Sequence, residues 1–155
     1  MHAEHPAPRE PARTTVPGGS LVNILVVEDD FISRRLLCRY LEKTGNCDVA
    51  INGNEAVSAV HDAIDNGEPY DLICLDIMMP GMCGQEALTA IRRLESEHGI
   101  HLGQGSRVIM TTALEDHTTI RRAFNASADG YVVKPIEKQK LFKLLEELGL
   151  LTATN

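Results

Sequence analysis

Four acidic residues lie in two short segments that could hold a metal ion or a reactive carboxylate. Glu28, Asp29 and Asp30 follow an apolar run at 23–27, and Asp76 follows another at 72–75. Carboxylates brought together repel one another, and a hard divalent cation that prefers oxygen ligands is their natural counter-ion. We therefore predict a Mg²⁺ site if the two runs end at the same edge of a sheet. For Asp30 alone, next to a predicted helix start, helix capping is the favoured role.

A hydroxyl and an ammonium follow two further apolar runs. Thr112 closes the run at 108–111, and Lys134, followed by Pro135, closes the run at 131–133. A hydroxyl donor and a compact positive charge suit the oxygens of a phosphoryl group. Together with the acids, they give Asp76 the surroundings of a nucleophile that attacks phosphorus and forms an acyl phosphate.

The elements that must position these residues alternate along the chain. Short apolar runs predict strands at 23–27, 47–51, 72–75, 108–111 and 131–133. Helical spacing of apolar residues predicts helices at 32–43, 55–65, 85–97, 118–125 and 137–148. Near-continuous apolar strands separated by helices indicate an α/β three-layer sandwich, a five-stranded parallel sheet with five helices on its two faces. Ligands bind at the carboxyl ends of such strands, where the candidate residues fall.

Length and charge limit the other possibilities. The 155 residues allow one domain, which we place at 21–150, after a Pro-, Ala- and Gly-rich leader at 1–20 predicted to be disordered and before a tail at 151–155. A net charge of -7 argues against a nucleic-acid partner. Because no apolar run approaches the roughly 20 residues that span a bilayer, and no secretory signal is evident, we expect a cytoplasmic protein without a membrane partner.

Cysteines and histidines give weaker signals. The four cysteines lack metal-finger or C-x-x-C spacing, so we expect reduced thiols. His98 and His101 could form a metal pair, but the glycines around them favour a flexible surface loop. The connection between Leu94 and Val108 is longer than a minimal domain of this class needs, and no role can be assigned to it.

Four sequence fragments resemble the receiver domains of two-component response regulators, which have the CheY-like fold. The fragments are VVEDD at 26–30, LDIMMPGM at 75–82 with Gly84, TTA at 111–113 and GYVVKP at 130–135. The resemblance covers about residues 22–149 and implies a flavodoxin-like strand order of 2-1-3-4-5.

The resemblance also implies how the acidic residues act. Asp76 is similar to the phosphoacceptor of the family, and Glu28 and Asp29 to its acidic pair. The implied Mg²⁺ ligands are Glu28, Asp29, Asp76 and the backbone carbonyl of Met78.

Further roles follow from the same resemblance. Thr112 and Lys134 resemble the groups that engage the phosphoryl group, and Thr112 with Tyr131 resembles a switch that responds to it. The peptide between Lys134 and Pro135 is implied to be cis. The switch would act on the face built from the helix at 118–125, the fifth strand and the last helix.

The implied partners are a sensor histidine kinase that donates the phosphoryl group and either a downstream effector protein or a histidine phosphotransfer protein that responds to it. The chain is then a stoichiometric phosphoacceptor and not a turnover enzyme. An apolar stripe on the last helix is expected to be core, with part of it available to a homodimer. Its residues are Leu141, Phe142, Leu145 and Leu148.

Two alternatives remain open. A haloacid-dehalogenase-type aspartyl-phosphate hydrolase combines similar groups. Enzymes of that type carry an Asp-x-Asp motif on the first strand, whereas Asp76 lies on the predicted third strand and the residue two positions after it is Met78. The second alternative is an interaction module that has the receiver fold but is not phosphorylated. Because Met78 and Leu114 are apolar where the family admits water, we also hypothesise slow autodephosphorylation.

Overall fold

The computed structural model describes residues 22–113 and 127–151. Within these residues five strands and four helices alternate in the predicted way. The strands are β1 (Val22–Val27), β2 (Gly45–Ala50), β3 (Leu72–Asp76), β4 (Arg107–Thr112) and β5 (Gly130–Val133). The helices are α1 (Phe31–Leu41), α2 (Gly53–Asp65), α3 (Gly84–Glu97) and α4 (Lys138–Glu147). The predicted leader, the helix predicted at 118–125 and residues 152–155 of the predicted tail lie outside the described residues.

The strands form one parallel sheet in the order β2-β1-β3-β4-β5. This confirms the predicted three-layer α/β class and its strand order, with four of the five predicted helices described. The change in winding direction between β1 and β3 brings the ends of these two strands side by side. Glu28 and Asp76 follow or end these two strands, so the fold places both acids at one sheet edge.

Successive strand residues pack on opposite faces of the sheet, as the two-residue strand period requires. The face covered by α2 and α3 buries Leu25, Val27, Ile73, Leu75, Val108 and Met110. The face covered by α1 and α4 buries Ile24, Val26, Leu72, Cys74, Ile109 and Val132. Leu141 and Leu145 of α4 are fully buried, and Phe142 of α4 and the following cap residue Leu148 are partly buried, which confirms that the apolar stripe is core.

The start of β2 differs from the prediction by two residues because Gly45 pairs with Val22 of β1. A Cβ atom at position 45 would lie 1.9 Å from the Val22 carbonyl oxygen, a distance that no side chain tolerates. The strand propensity of the sequence starts at Cys47, since glycine carries no strand signal of its own. The close approach of two backbones therefore sets the strand boundary.

An internal ion-pair network closes the long connection between α3 and β4. Glu95 is 4% exposed, and its carboxylate accepts hydrogen bonds from the Ser106 amide and from Arg92, both at 2.8 Å. Arg92 also donates to the carbonyls of Ser106 and Ser127 and to the Asp129 carboxylate. We call the group of Arg92, Glu95, Ser106 and Asp129 the Arg92 clamp. It gives the connection a structural role that the sequence did not reveal.

The helices that the structure describes include none that is both long and apolar enough to cross a membrane.

Candidate functional site

Backbone hydrogen bonds fix the acidic residues at the sheet edge. Glu28 directly follows β1, and its amide donates to the Ala50 carbonyl at 3.0 Å. Asp76 is the last residue of β3, and the next amide, from Ile77, donates to the Thr111 carbonyl at 3.0 Å. Both acids are therefore held by the sheet itself, which limits how far they can move apart.

The carboxylates of Glu28, Asp29 and Asp76 converge. One oxygen from each lies within 4.8 Å of the others. Glu28 is 1% exposed and Asp76 3%, whereas Asp29 is exposed to solvent. We call these three residues the acidic cluster. Hard oxygen donors in a compact group with one open side fit Mg²⁺, which binds to proteins through one or two carboxylates and retains several waters.

Lys134 reaches into the acidic cluster from the end of β5. Its ammonium lies 2.6 Å from Glu28 Oε1 and 3.2 Å from Asp76 Oδ2. Its amide donates to the Thr112 carbonyl at 2.6 Å, and the peptide to Pro135 is cis. Lys134 thus serves as an internal counter-ion for two buried carboxylates.

This environment changes the protonation equilibria of both partners. Burial raises the pKa of Glu28, and Asp76 raises it further, although Lys134 acts in the opposite direction. Burial alone would lower the pKa of Lys134, but hydrogen bonding and attraction to Glu28 and Asp76 outweigh it, and the pKa is raised. Lys134 is therefore charged at neutral pH.

Local hydrogen bonds orient the neighbouring groups. Asp30 caps α1, because its carboxylate accepts from the Ser33 amide at 2.8 Å, and this bond lowers the pKa of Asp30. The capping role predicted for Asp30 is thus confirmed. The Met78 amide donates to Asp76 Oδ1 at 3.1 Å and so holds the plane of that carboxylate. Arg34 donates to the Glu28 carbonyl at 2.9 Å.

The predicted switch residues lie on neighbouring strands. Thr112 ends β4 and is completely buried. Tyr131 is partly buried and packs against the core cluster on the α2 and α3 face. Leu114, predicted to slow hydrolysis together with Met78, lies outside the described residues.

Gly84 contributes to the site in a way that the sequence motif alone does not explain. A Cβ atom there would lie 2.3 Å from the Asp76 carbonyl oxygen, so only glycine lets α3 begin against the end of β3. Arg34 is a second residue that sequence reasoning missed. Its position one turn into a helix carries no signal that it bonds to the Glu28 carbonyl.

The two histidines predicted to lie on a surface loop both follow α3 and are both exposed. His98 is the C-cap residue of α3 and pairs with Asp65 of α2 rather than with His101. The surface position predicted for His98 is confirmed, and its contact with Asp65 at the end of α2 is a feature that the sequence did not indicate.

Comparisons with known proteins agree with this geometry. Residues 24–146 match the response regulator receiver domain family. The regulatory protein VanRB of Enterococcus faecalis is 34% identical over 125 residues, covering 81% of this chain and 50% of that protein. The chain spans half or less of the length of each of the first curated relatives that it matches.

Two solved structures are similar over most of the chain. The receiver domain of the Arabidopsis thaliana histidine kinase CKI1, complexed with Mg²⁺, is 27% identical with a TM-score of 0.70, covering 82% of this chain and 91% of that one. The receiver domain of Saccharomyces cerevisiae Ssk1, in a complex with the histidine phosphotransfer protein Ypd1, is 29% identical with a TM-score of 0.70, covering 86% and 92%. The fold, the acidic cluster at its sheet edge and the extent of the family match lead to one assignment: the chain belongs to the response regulator receiver domain family.

Proposed function

We propose that Asp76 accepts a phosphoryl group from a phosphohistidine of a partner protein and holds it as an acyl phosphate that changes partner binding. The observation that carries this proposal is the placement of Asp76. Its carboxylate is almost fully buried, 3.2 Å from the Lys134 ammonium and within 4.8 Å of two other carboxylates. Asp30, which caps α1, is by contrast exposed to solvent.

The residues around Asp76 supply the groups that the transfer needs. One carboxylate oxygen attacks phosphorus, and the P–N bond of the phosphohistidine breaks as the P–O bond forms, with the bonding pair leaving on the imidazole. The Met78 amide orients the carboxylate before the attack. The Lys134 ammonium would then form an ion pair with the phosphoryl oxygens, and the Thr112 hydroxyl would donate a further hydrogen bond to them.

The acidic cluster supports Mg²⁺ as the cofactor. Glu28, Asp29, Asp76 and the backbone carbonyl of Met78 would hold it, and oxygen donors select Mg²⁺ over softer metals. When bound, Mg²⁺ offsets the charge on the transferring phosphoryl oxygens.

Exposed apolar side chains beside the acidic cluster support a protein as the phosphoryl donor. Phe31 is 57% exposed, Ile32 70% and Met78 63%, and all three adjoin the cluster in the chain. Exposed apolar side chains close to a polar site are typical of a protein interface. A sensor histidine kinase or a histidine phosphotransfer protein is the expected partner, consistent with the Ypd1 complex of the related Ssk1 receiver.

The signal would leave through Thr112 and Tyr131. Movement of Thr112 towards the phosphoryl oxygens would open space at the end of β4, and Tyr131 on β5 would move into it. This is a shift between two packed states, and phosphorylation acts only through its preference for one of them. A downstream effector protein would read the altered surface.

Intact mass after incubation with acetyl phosphate and Mg²⁺ tests the proposal. Wild-type protein should gain one phosphoryl group, and Asp76→Asn should gain none. Asp30→Asn is the matched control, because asparagine also caps helices and the variant should be phosphorylated like the wild type. The proposal fails if wild type gains no mass or if Asp76→Asn gains as much. Sustained release of many equivalents of phosphate from an ester would instead favour the hydrolase alternative.

We also infer that the acyl phosphate is long-lived. The Met78 side chain beside Asp76 offers no group that could orient a hydrolytic water, and Leu114 is equally apolar. Met78→Asn and Leu114→Glu should each shorten the lifetime of the acyl phosphate, followed as the decay of the phosphorylated mass. Unchanged lifetimes in both variants, together with rapid loss in the wild type, would contradict this inference.

A further inference from the structure

A second group of metal-binding side chains lies where α2 packs against α3, outside the acidic cluster. His61 and Asp65 are one turn apart on α2, and His98 caps the end of α3. One donor atom from each of the three residues lies within 4.8 Å of the others. The two imidazole rings meet edge to face, with centroids 6.0 Å apart.

Two of the separations between these groups are close to those found between ligand atoms of a tetrahedral metal. His61 Nε2 lies 3.5 Å from Asp65 Oδ2, and His98 Nε2 lies 3.3 Å from Asp65 Oδ1. Zinc bonds to histidine nitrogen and carboxylate oxygen are about 2.0–2.2 Å long, which places neighbouring ligand atoms of a tetrahedron about 3.3–3.6 Å apart. The two contacts use different oxygens of Asp65, and one donor atom from each residue lies within 4.8 Å of the others, so closing around an ion requires side-chain rotations that draw the three groups together.

The other nitrogen of each ring also faces an oxygen acceptor. His98 Nδ1 lies 2.8 Å from the Leu94 carbonyl oxygen, which can only accept, so Nδ1 carries a proton, and Nε2, which faces Asp65 at 3.3 Å, is the nitrogen that a metal could bind once it carries no proton. His61 Nδ1 lies 3.5 Å from the Asp62 carboxylate, again with Nε2 towards Asp65. A histidine that binds metal usually donates its other ring N–H to a carbonyl or carboxylate, which fixes its tautomer.

We propose that His61, Asp65 and His98 bind a divalent transition metal of the zinc class, with a fourth position open to water or to a ligand from a partner. Two imidazoles and a carboxylate favour such a metal over Mg²⁺, which prefers oxygen alone. All three residues are exposed, so the ion has direct access from solvent. Bound metal would fasten the end of α2 to the end of α3.

The competing interpretation is a set of ordinary ion pairs between Asp65 and protonated histidines. The Leu94 carbonyl, and then Asp65, raise the pKa of His98, so protons compete with metal for Nε2. The two interpretations differ in whether the three residues bind a metal together.

Calorimetric titration of the full chain with ZnCl₂ separates them. Saturating Mg²⁺ occupies the acidic cluster, and a non-thiol reductant keeps the cysteines reduced. One zinc equivalent should bind the wild type, and His61→Ala, Asp65→Asn and His98→Ala should each weaken binding at least about tenfold. The matched control is His101→Ala, which removes an exposed histidine close to His98 in the chain and should bind as the wild type does.

The melting temperature gives a second readout, because a metal bound by His61, Asp65 and His98 would link α2 to the end of α3. Zinc should raise the melting temperature of the wild type and of His101→Ala, and it should leave that of His61→Ala unchanged. His61 is 49% exposed, so its removal should not prevent folding. The proposal is overturned if zinc does not bind, if it binds the three site variants as tightly as the wild type, or if Cys38→Ser abolishes binding while those variants retain it.

Discussion

Lys134→Met tests whether Lys134 acts as the counter-ion of the acidic cluster when no metal is bound. Methionine keeps most of the apolar length of the side chain and removes the ammonium. Glu28 and Asp76, whose side chains are 2% and 4% exposed, would then face each other without the positive charge at 2.6 Å and 3.2 Å. We expect the variant to lose stability in the absence of metal.

The expected loss of unfolding free energy depends on how deeply the ion pairs of Lys134 are buried. Removing one partner of a buried ion pair typically costs about 3–5 kcal/mol, because the remaining charge is left uncompensated. Lys134 is itself 22% exposed, so we expect the lower end, about 3 kcal/mol of unfolding free energy. Mg²⁺ should reduce this loss, since it should bind more tightly to the variant, in which no ammonium competes for the carboxylates, and so stabilise the folded variant more than the folded wild type.

Urea unfolding of both proteins in EDTA and in saturating Mg²⁺ measures the effect. Lys140→Met is the matched control, because Lys140 forms an ion pair with Glu137 at 3.0 Å but is 74% exposed. Its removal should cost less than about 1 kcal/mol, in either solution. The reasoning about Lys134 is refuted if its variant loses less than about 1 kcal/mol in EDTA, or if Mg²⁺ leaves the loss unchanged.

Three further predictions concern other parts of the chain. Glu95→Ala should lower the unfolding free energy by about 3 kcal/mol in urea titrations, because it leaves the buried Ser106 amide without its acceptor and removes one of the two carboxylates that pair with Arg92. Gly84→Ala should cost about 1–3 kcal/mol and slow phosphorylation by acetyl phosphate, since its Cβ atom displaces the Asp76 backbone. Asp65→Asn should bring the pKa of His98 part of the way back to its ordinary value in an NMR titration. Because the folded-state pKa is raised, the accompanying stability loss should be present in mild acid and disappear as the pH rises through that pKa.

The sequence predicted the parts of this protein that depend on chain-local patterns. Continuous apolar runs located the strands, and the residues that follow those runs located Glu28, Asp76 and Lys134 at one edge. The capping role of Asp30 was also readable, because a helix begins with the next residue.

Other features depend on how separate elements pack, which no local pattern records. His98 pairs with Asp65 only because the ends of α2 and α3 meet, and no spacing within the chain indicates that contact. In the sequence, Glu95 is one of several charged residues near the end of a predicted helix. Its burial depends on the following connection, which folds back so that the Ser106 amide bonds to it. Gly45 belongs to β2 because its backbone pairs closely with Val22 of β1, and a glycine in the sequence gives no sign of that pairing.

The Arg92 clamp has a mechanical consequence for signalling. Asp129 accepts from the Val108 amide at 2.8 Å and pairs with Arg92 and Arg107, so the amino ends of β4 and β5 are joined where the two strands begin. Thr112 and Lys134 lie at the opposite ends of the same strands. The amino ends of β4 and β5 are therefore held in place more firmly than their carboxyl ends. We expect the backbone displacement of these strands on phosphorylation to be largest near Asp76 and to decrease towards Asp129.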